Sequence, residues 1–300
     1  MVVWLVSPSQ VITQLGKENM KIPKGERPDD DVPAITRDFH VELDTTAVYY
    51  AMIDSAQVGI NHEDWPRAEQ WLRKALAADP DNAANSLVLS NLATIQRFQG
   101  KSEEALKNYT FALDLTPNAV TLLLNRAALL LELGRTQQAV SDYERVATLD
   151  ANDVESRYSL GMIAVEQGDY ERAKLMFDEI ERNNPKSALA SEGRGFMCKA
   201  QGDFEHAVEH LSVVIKAKRD AHLLGNRADC YLALKRLNNA ADDIREALRL
   251  TPEDAYLYVL RAKLNKLRYN YADMQKDIEL AVQYGLDRDL VNGMLENLSK

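Results

Sequence analysis

The sequence predicts an all-α solenoid of about seven helix-turn-helix repeats, and three observations carry that prediction. A small residue is followed four places on by an aromatic or aliphatic one, seven places on by a small or aliphatic one, and often twelve places on by Pro. The lead residues of this pattern are Ala68, Ala105, Ala139, Ala173, Ala207, Ala240 and Met274, spaced 37, 34, 34, 34, 33 and 34 apart. Such a period belongs to stacked repeats and not to a compact enzyme domain. Glycine and proline number only 13 and 9 and mostly punctuate the repeat, leaving the rest of the chain for helix.

The elements follow in order. Met1–Val6 is apolar and precedes Ser7-Pro8-Ser9, a small-x-small pattern, but a basic opening and an apolar stretch of about 7–15 residues are missing. Residues 1–9 are either the remnant of an export signal, making the protein exported or periplasmic, or a frayed or docked apolar end of a cytoplasmic one. Residues 10–43 hold Pro23, Pro28, Pro33 and the run Asp29-Asp30-Asp31, so 1–43 reads as an extended arm. Regular structure is expected from Asp44-Thr45, with seven repeats over 44–286. In each, the first helix carries one small residue (Ala56, Ala93, Ala127, Gly161, Gly195, Ala228, Ala262), and the lead residue of the second helix comes twelve places later. Small residues at both positions let the two backbones approach closely. Gly100, Gly134, Gly168 and Gly202 sit between helices, where a left-handed residue ends the first one. Residues 287–300 carry Leu290, Val291, Met294, Leu295 and Leu298 at helical spacing, a stripe suited to a capping helix over the last open face.

Composition narrows the function. The formal charge of −10 argues against nucleic acid, which needs a concentrated basic face. No stretch approaches the roughly 20 apolar residues of a membrane span. Two cysteines, Cys198 and Cys230, are too few for a disulfide scaffold or a four-ligand zinc site. They fall on neighbouring first helices, where a disulfide would face strict geometric demands.

These residues resemble the tetratricopeptide repeat family, whose signature pairs Gly or Ala in the first helix with Ala, an aromatic and Pro in the second at a 34-residue period. The resemblance covers about residues 45–286. The family's Trp near the start of the first helix is absent, and the long first interval is expected to extend a first helix around Ala83-Ala84-Asn85. The resemblance implies a right-handed superhelix with first helices lining an inner groove, and a protein or peptide as partner. Helical phase against the buried small residues places Asn91, Phe98, Leu124, Asn125, Leu131, Tyr158, Met162, Phe196, Asn226 and Lys263 on that groove. Glu192, Lys199, Asp229 and Lys266 share the phase. An apolar middle with Met and aromatics suits a peptide with hydrophobic anchors. Some family members grip a terminal carboxylate with Lys and Asn from successive first helices. Here Asn91, Asn125 and Asn226 fall on suitable positions, but the lysines that should accompany them are missing, and that clamp is not expected.

Three further patterns bear on chemistry. Arg126 and Asp142, Arg227 and Asp243, and Arg261 and Asp277 are each 16 apart, predicting an ion pair between the two helices of one repeat. His206-Ala207-Val208-Glu209-His210 matches the H-x-x-E-H of inverted zinc peptidases. Ala207 is itself a lead residue, however, so the histidines are read as surface groups of a second helix, with neither metal nor cofactor expected. The sequence has no phosphate-binding glycine loop and no G-x-S-x-G elbow. The expected function is a non-enzymatic scaffold or adaptor binding a peptide in the groove. The alternative is an architectural or oligomerisation component acting through the outer face or the ends. In a variant of the first reading the arm at 10–43 occupies its own groove.

Overall fold

The computed structural model describes residues 45–296. The arm, the export-signal reading at 1–9, Asp44 and Leu298 lie outside the described residues. Fifteen helices and no strand are found among the described residues. They pair as α1 (Thr45–Asn61) with α2 (Trp65–Ala78), α3 (Asn85–Phe98) with α4 (Ser102–Leu115), and α5 (Val120–Glu132) with α6 (Thr136–Leu149). The pairing continues as α7 (Val154–Glu166) with α8 (Tyr170–Asn183), α9 (Leu189–Gln201) with α10 (Phe204–Ala217), and α11 (Ala221–Ala233) with α12 (Leu237–Leu250). Last come α13 (Ala255–Leu267) with α14 (Tyr271–Gln283), and α15 (Arg288–Glu296), which packs on both. The chain divides into two compact units, one ending at Leu149 and holding α1–α6, the other beginning at Asp150 and holding α7–α15.

The periodic small residues are the innermost. Ala56, Ala93, Ala127, Ala228 and Ala262 on first helices, and all six lead alanines on second helices, have no exposed surface. Met274, the seventh lead residue, is half-buried against the last core cluster. In the second unit two glycines make room for one ring. A Cβ on Gly161 would lie 2.5 Å from Phe177 Cε1, and one on Gly193 only 2.2 Å from the same atom. Phe177 is fully buried, so its ring has little freedom to yield.

The helix junctions obey the same logic. Second helices α2, α8 and α10 open on Asp64, Asp169 and Asp203, whose carboxylates accept from the backbone N–H of Arg67, Arg172 and His206. The four turn glycines have φ between 71° and 79°. At the same place in the first, sixth and seventh repeats stand Glu63, Lys235 and Tyr269, with φ of 56°, 57° and 59°, a conformation that a side chain makes costly. All three predicted ion pairs form. Arg126 and Arg227 each grip their aspartate with two nitrogens, at 2.7–2.8 Å. Arg261 puts Nε and Nη2 on Asp277 Oδ1 at 2.8 and 2.6 Å.

Two expectations need correction. The long first interval does not mainly lengthen a helix: residues 79–84 make a six-residue loop where the next repeat uses four, 116–119, and α3 gains one residue over α5. The loop is stitched by side chains that supply what a helix would have supplied to its backbone. Asn82 Oδ1 accepts from Ala84 N at 2.9 Å, and Asn85 Nδ2 donates to the carbonyls of Asp79 and Pro80 at 2.9 and 2.8 Å. On α15, Val291 and Leu295 are buried and Met294 half-buried, but Leu290 is 50% exposed. That helix meets α13 and α14 along a narrow seam, and Leu290 lies off it.

Candidate functional site

In each unit the first helices contact one another side by side, α3 with α5, then α7 with α9 and α11 with α13. They form a layer in front of the second helices, and the residues chosen by helical phase lie along it. In the first unit Phe98 meets Trp65 with ring centroids 5.5 Å apart. Leu124 packs half-buried on the cluster around Tyr109 and Leu123, and Asn91, Asn125 and Leu131 are half-buried. Asn125 Nδ2 is buried with no hydrogen-bond partner. A bond the helical phase did not anticipate joins the layer: Arg97 Nε donates to Glu132 Oε2 at 3.0 Å, across from α3 to α5.

The layer of the second unit is a polar ladder. Tyr158 OH on α7 donates to Glu192 Oε1 on α9 at 2.8 Å. Lys199 Nζ on α9 donates to Asn226 Oδ1 on α11 at 2.8 Å and lies 2.9 Å from Asp229 Oδ2. Asp229 also accepts from Tyr256 OH at 3.2 Å and from Lys263 Nζ at 3.3 Å, both on α13. Burial alone would raise the Asp229 carboxyl, but the two lysines outweigh it and hold it below the usual range. Glu192 goes the other way: burial, helped by the charge of Asp220, pushes its carboxyl up against the Tyr158 hydrogen bond and the more distant charge of Lys218. Burial, followed by the charge of Glu192, raises Tyr158 in turn.

The apolar members of the candidate set are less open than their phase suggests. Phe196 is 9% exposed and belongs to the core cluster of α9–α13, its ring 5.7 Å from that of His222. Met162 is half-buried and bridges two core clusters. Tyr158 is half-buried, its ring 6.4 Å from Phe177. Asn226 and Lys263 are already engaged within the ladder, and Lys266 donates to the carbonyl of Leu295 at 2.7 Å. Helical phase puts Glu192, Lys199 and Asp229 on this face without pairing them, and it leaves out Tyr256. A signal for them exists in the sequence. Tyr158 to Glu192 and Asp229 to Lys263 span 34 residues, one repeat; Lys199 to Asn226 and Asp229 to Tyr256 span 27, one repeat less two helical turns. Complementary side chains at those two separations mark neighbours on adjacent first helices.

Of the other chemical candidates, His206 lies exposed at the start of α10, its Nδ1 2.6 Å from Asp203 Oδ2, while His210 is half-buried. Ala207 between them is fully buried, as a lead residue requires. Among the described residues no group of three or more His, Cys, Asp or Glu is placed to hold a metal ion. Cys198 and Cys230 are free and buried, and burial lifts the Cys230 thiol to about 11. No described helix is long and apolar enough to cross a membrane.

Paired helices in a repeating stack, with side chains linking one first helix to the next, define a helical-repeat protein of the scaffold class. Tetratricopeptide repeat profiles match residues 130–192, and also 90–154 and 199–255. A tetratricopeptide repeat protein from Parabacteroides merdae ATCC 43184 is 30% identical, with a TM-score of 0.73, over 85% of this chain and all of that one. The APC/C hetero-tetramer Cut9–Hcn1 matches at 14% identity and a TM-score of 0.64, over 85% of this chain and 55% of that one. The type IV pilus biogenesis factor PilW matches at 16% and 0.60, over 72% of this chain and 98% of that one. No curated protein matches the sequence significantly. The chain belongs to the tetratricopeptide repeat family, whose members are in general protein-interaction scaffolds.

Proposed function

We propose that this chain is a non-enzymatic adaptor that binds a peptide along the first helices of the second unit, with the recognition centre at Tyr158, Met162 and Glu192. The Tyr158–Glu192 pair is the observation that supports it. Glu192 is half-buried, and its carboxyl is raised by that burial. Its hydrogen-bond partner is a neutral hydroxyl, where the other half-buried carboxylate of the ladder, Asp229, has two lysines. A carboxylate in that state gains from a cationic partner. The ligand we infer carries a Lys or Arg beside an apolar residue, the cation on Glu192 and the apolar group on Met162 and the Tyr158 ring. Lys199 and Lys263 are held by Asp229, which disfavours a terminal carboxylate there, and the overall acidic charge disfavours nucleic acid.

Selection of a random peptide display library on the purified protein tests this. Enriched peptides should pair a basic with an apolar residue, and Tyr158→Ala/Glu192→Gln should lose them at least about tenfold with unchanged helicity. Enrichment of sequences without a cation, or equal binding to the double variant, would move the site elsewhere. An architectural reading has its own observation: Phe111 and Leu115 on α4 are 57% and 58% exposed, one helical turn apart. A mass that grows with concentration in the wild type and stays monomeric in Phe111→Ser/Leu115→Ser would favour it.

A further inference from the structure

Three repeats carry the Arg–Asp pair, and in two of them a hydroxyl of the preceding second helix lies against the guanidinium. Arg126 turns its Nη1 onto Thr110 Oγ1 at 3.4 Å, and Arg227 turns its Nη1 onto Ser212 Oγ at 2.9 Å. Each hydroxyl sits on the preceding second helix, five residues after its lead alanine. The position equivalent to Thr110 and Ser212 before Arg261 is Arg245, which offers no acceptor and adds a like charge. Two more changes coincide. Ala241 stands where the other junctions have Leu106 and Val208, and Arg268 where they have Leu133 and Leu234. Ala241 withdraws apolar volume, and Arg245 and Arg268 bring positive charge to the same place.

The result is a cleft of about 290 Å³ between α12 and α13, with Ile244, Leu248 and Leu264 among its apolar lining. Arg245, Arg261 and Arg268 line it as well, and no carboxylate does. Each guanidinium is tethered from outside: Arg261 by Asp277, Arg245 by Asp242 at 3.0 Å, and Arg268 by the carbonyl of Leu237 at 3.2 Å. A guanidinium has five N–H donors, so tethering orients each one and leaves others for a ligand. Asp277 and Asp242 already offset the charges of Arg261 and Arg245, but Arg268 meets only neutral oxygens, those of the Leu237 carbonyl and the Asn238 side chain, so an anion seated beside it gains from the charge left unmatched. The volume lies just under the roughly 300–1,000 Å³ of small-molecule pockets and suits one or two side chains of a peptide.

We propose that this cleft is a second peptide site, taking an Asp or Glu side chain between the guanidiniums and an adjacent aliphatic side chain on the lining. It is separate from the ladder. Arg261 and Lys263 are two residues apart on α13, about 200° around the helix. One chain could then hold a basic segment at Glu192 and an acidic one here.

The test is fluorescence anisotropy at low salt with a short fluorescein-labelled peptide of alternating Glu and Leu. Binding should saturate, and it should weaken at least about tenfold both for the Gln–Leu counterpart and in Arg245→Ser. That substitution recreates the arrangement at Ser212 and should preserve the fold; Arg268→Leu, which recreates Leu234, is the second variant if it does not. The exposed-surface control Arg182→Ser should stay within about twofold of wild type. Unsaturable binding, wild-type affinity in Arg245→Ser and Arg268→Leu, or an equal loss in Arg182→Ser would overturn the proposal. So would displacement of the peptide by inorganic phosphate at concentrations where acetate does nothing, since the ligand would then be a phosphoryl group.

Discussion

The two units solve the same packing problem with different side chains. In the first, Tyr109 fills the space behind the first helices, and its hydroxyl, fully buried, meets Thr94 Oγ1 at 2.8 Å. In the second, the matching residue is Phe177, which has no hydroxyl to satisfy but needs Gly161 and Gly193 to withdraw from its ring. Their half-buried and buried acids differ as well. Glu69 in the first unit accepts from Lys101 Nζ and Arg73 Nη2, both at 2.8 Å, and these bonds outweigh burial to lower its carboxyl to about 2. Glu192 in the second unit has a single neutral donor at close range and is raised. A carboxylate whose bonds all come from its own chain contributes stability; one left short of cations is suited to a partner that brings one. The repeat leaves such positions open because only a few residues per helix pair are needed for stacking.

The comparison breaks most sharply at the ion pairs common to both units. Arg227→Ala leaves Asp243, a side chain 9% exposed, without its cation. Urea denaturation should show a loss of about 3 kcal/mol, the lower end of what losing one partner of a buried pair costs. Asp277→Ala should cost less, because Arg261 is 37% exposed and keeps contact with water.

Next is the ring between two glycines. Gly193→Ala should destabilise the chain by about 1–3 kcal/mol through overpacking against Phe177. Phe177→Leu in the same chain should recover part of that loss, giving a coupling term in a double-mutant cycle. No coupling would mean that the ring is not what the methyl group meets.

The two acids sharpen the comparison by pH. The folded carboxyl of Glu69 lies below its ordinary 4.5, so its contribution is full above about 4.5 and is lost as pH falls towards about 2. Glu192 is raised, so its penalty is absent at low pH and grows as pH rises past the unfolded value towards the folded one. Glu69→Gln should flatten the acid limb of the stability profile, whereas Glu192→Gln should lift the neutral limb. The same profiles measured with both variants check the sign of each.

The smallest effect belongs to the turns. Lys235→Gly and Tyr269→Gly place glycine where four other repeats already have it, and each should raise stability by up to about 1 kcal/mol in thermal or urea unfolding. A loss at Tyr269 would show that its ring, 80% exposed, makes contacts worth more than the backbone strain.

The sequence alone was enough to determine the helix pairs, their number along the described chain, the turn glycines and the three Arg–Asp pairs. Each of these is imposed by the stacking of identical backbones: Ala139 or Ala207 must be small because a neighbouring helix axis passes over it, and the requirement recurs at every period. The first loop escaped because the interval from Ala68 to Ala105 counts inserted residues without saying where they go. Asn82 and Asn85 put most of them outside the helix by satisfying loop carbonyls and amides. Helical phase placed Tyr158 and Phe196 on one face, but not how far each sinks into it. Only the tertiary structure decided that Phe196 is core, that Lys199 and Lys263 share Asp229, that Glu192 is left with a hydroxyl, and that the junction before Arg261 stays open. Those outcomes depend on side chains from two or three repeats meeting across helices, and a period repeated along the chain carries no record of which neighbour reaches first.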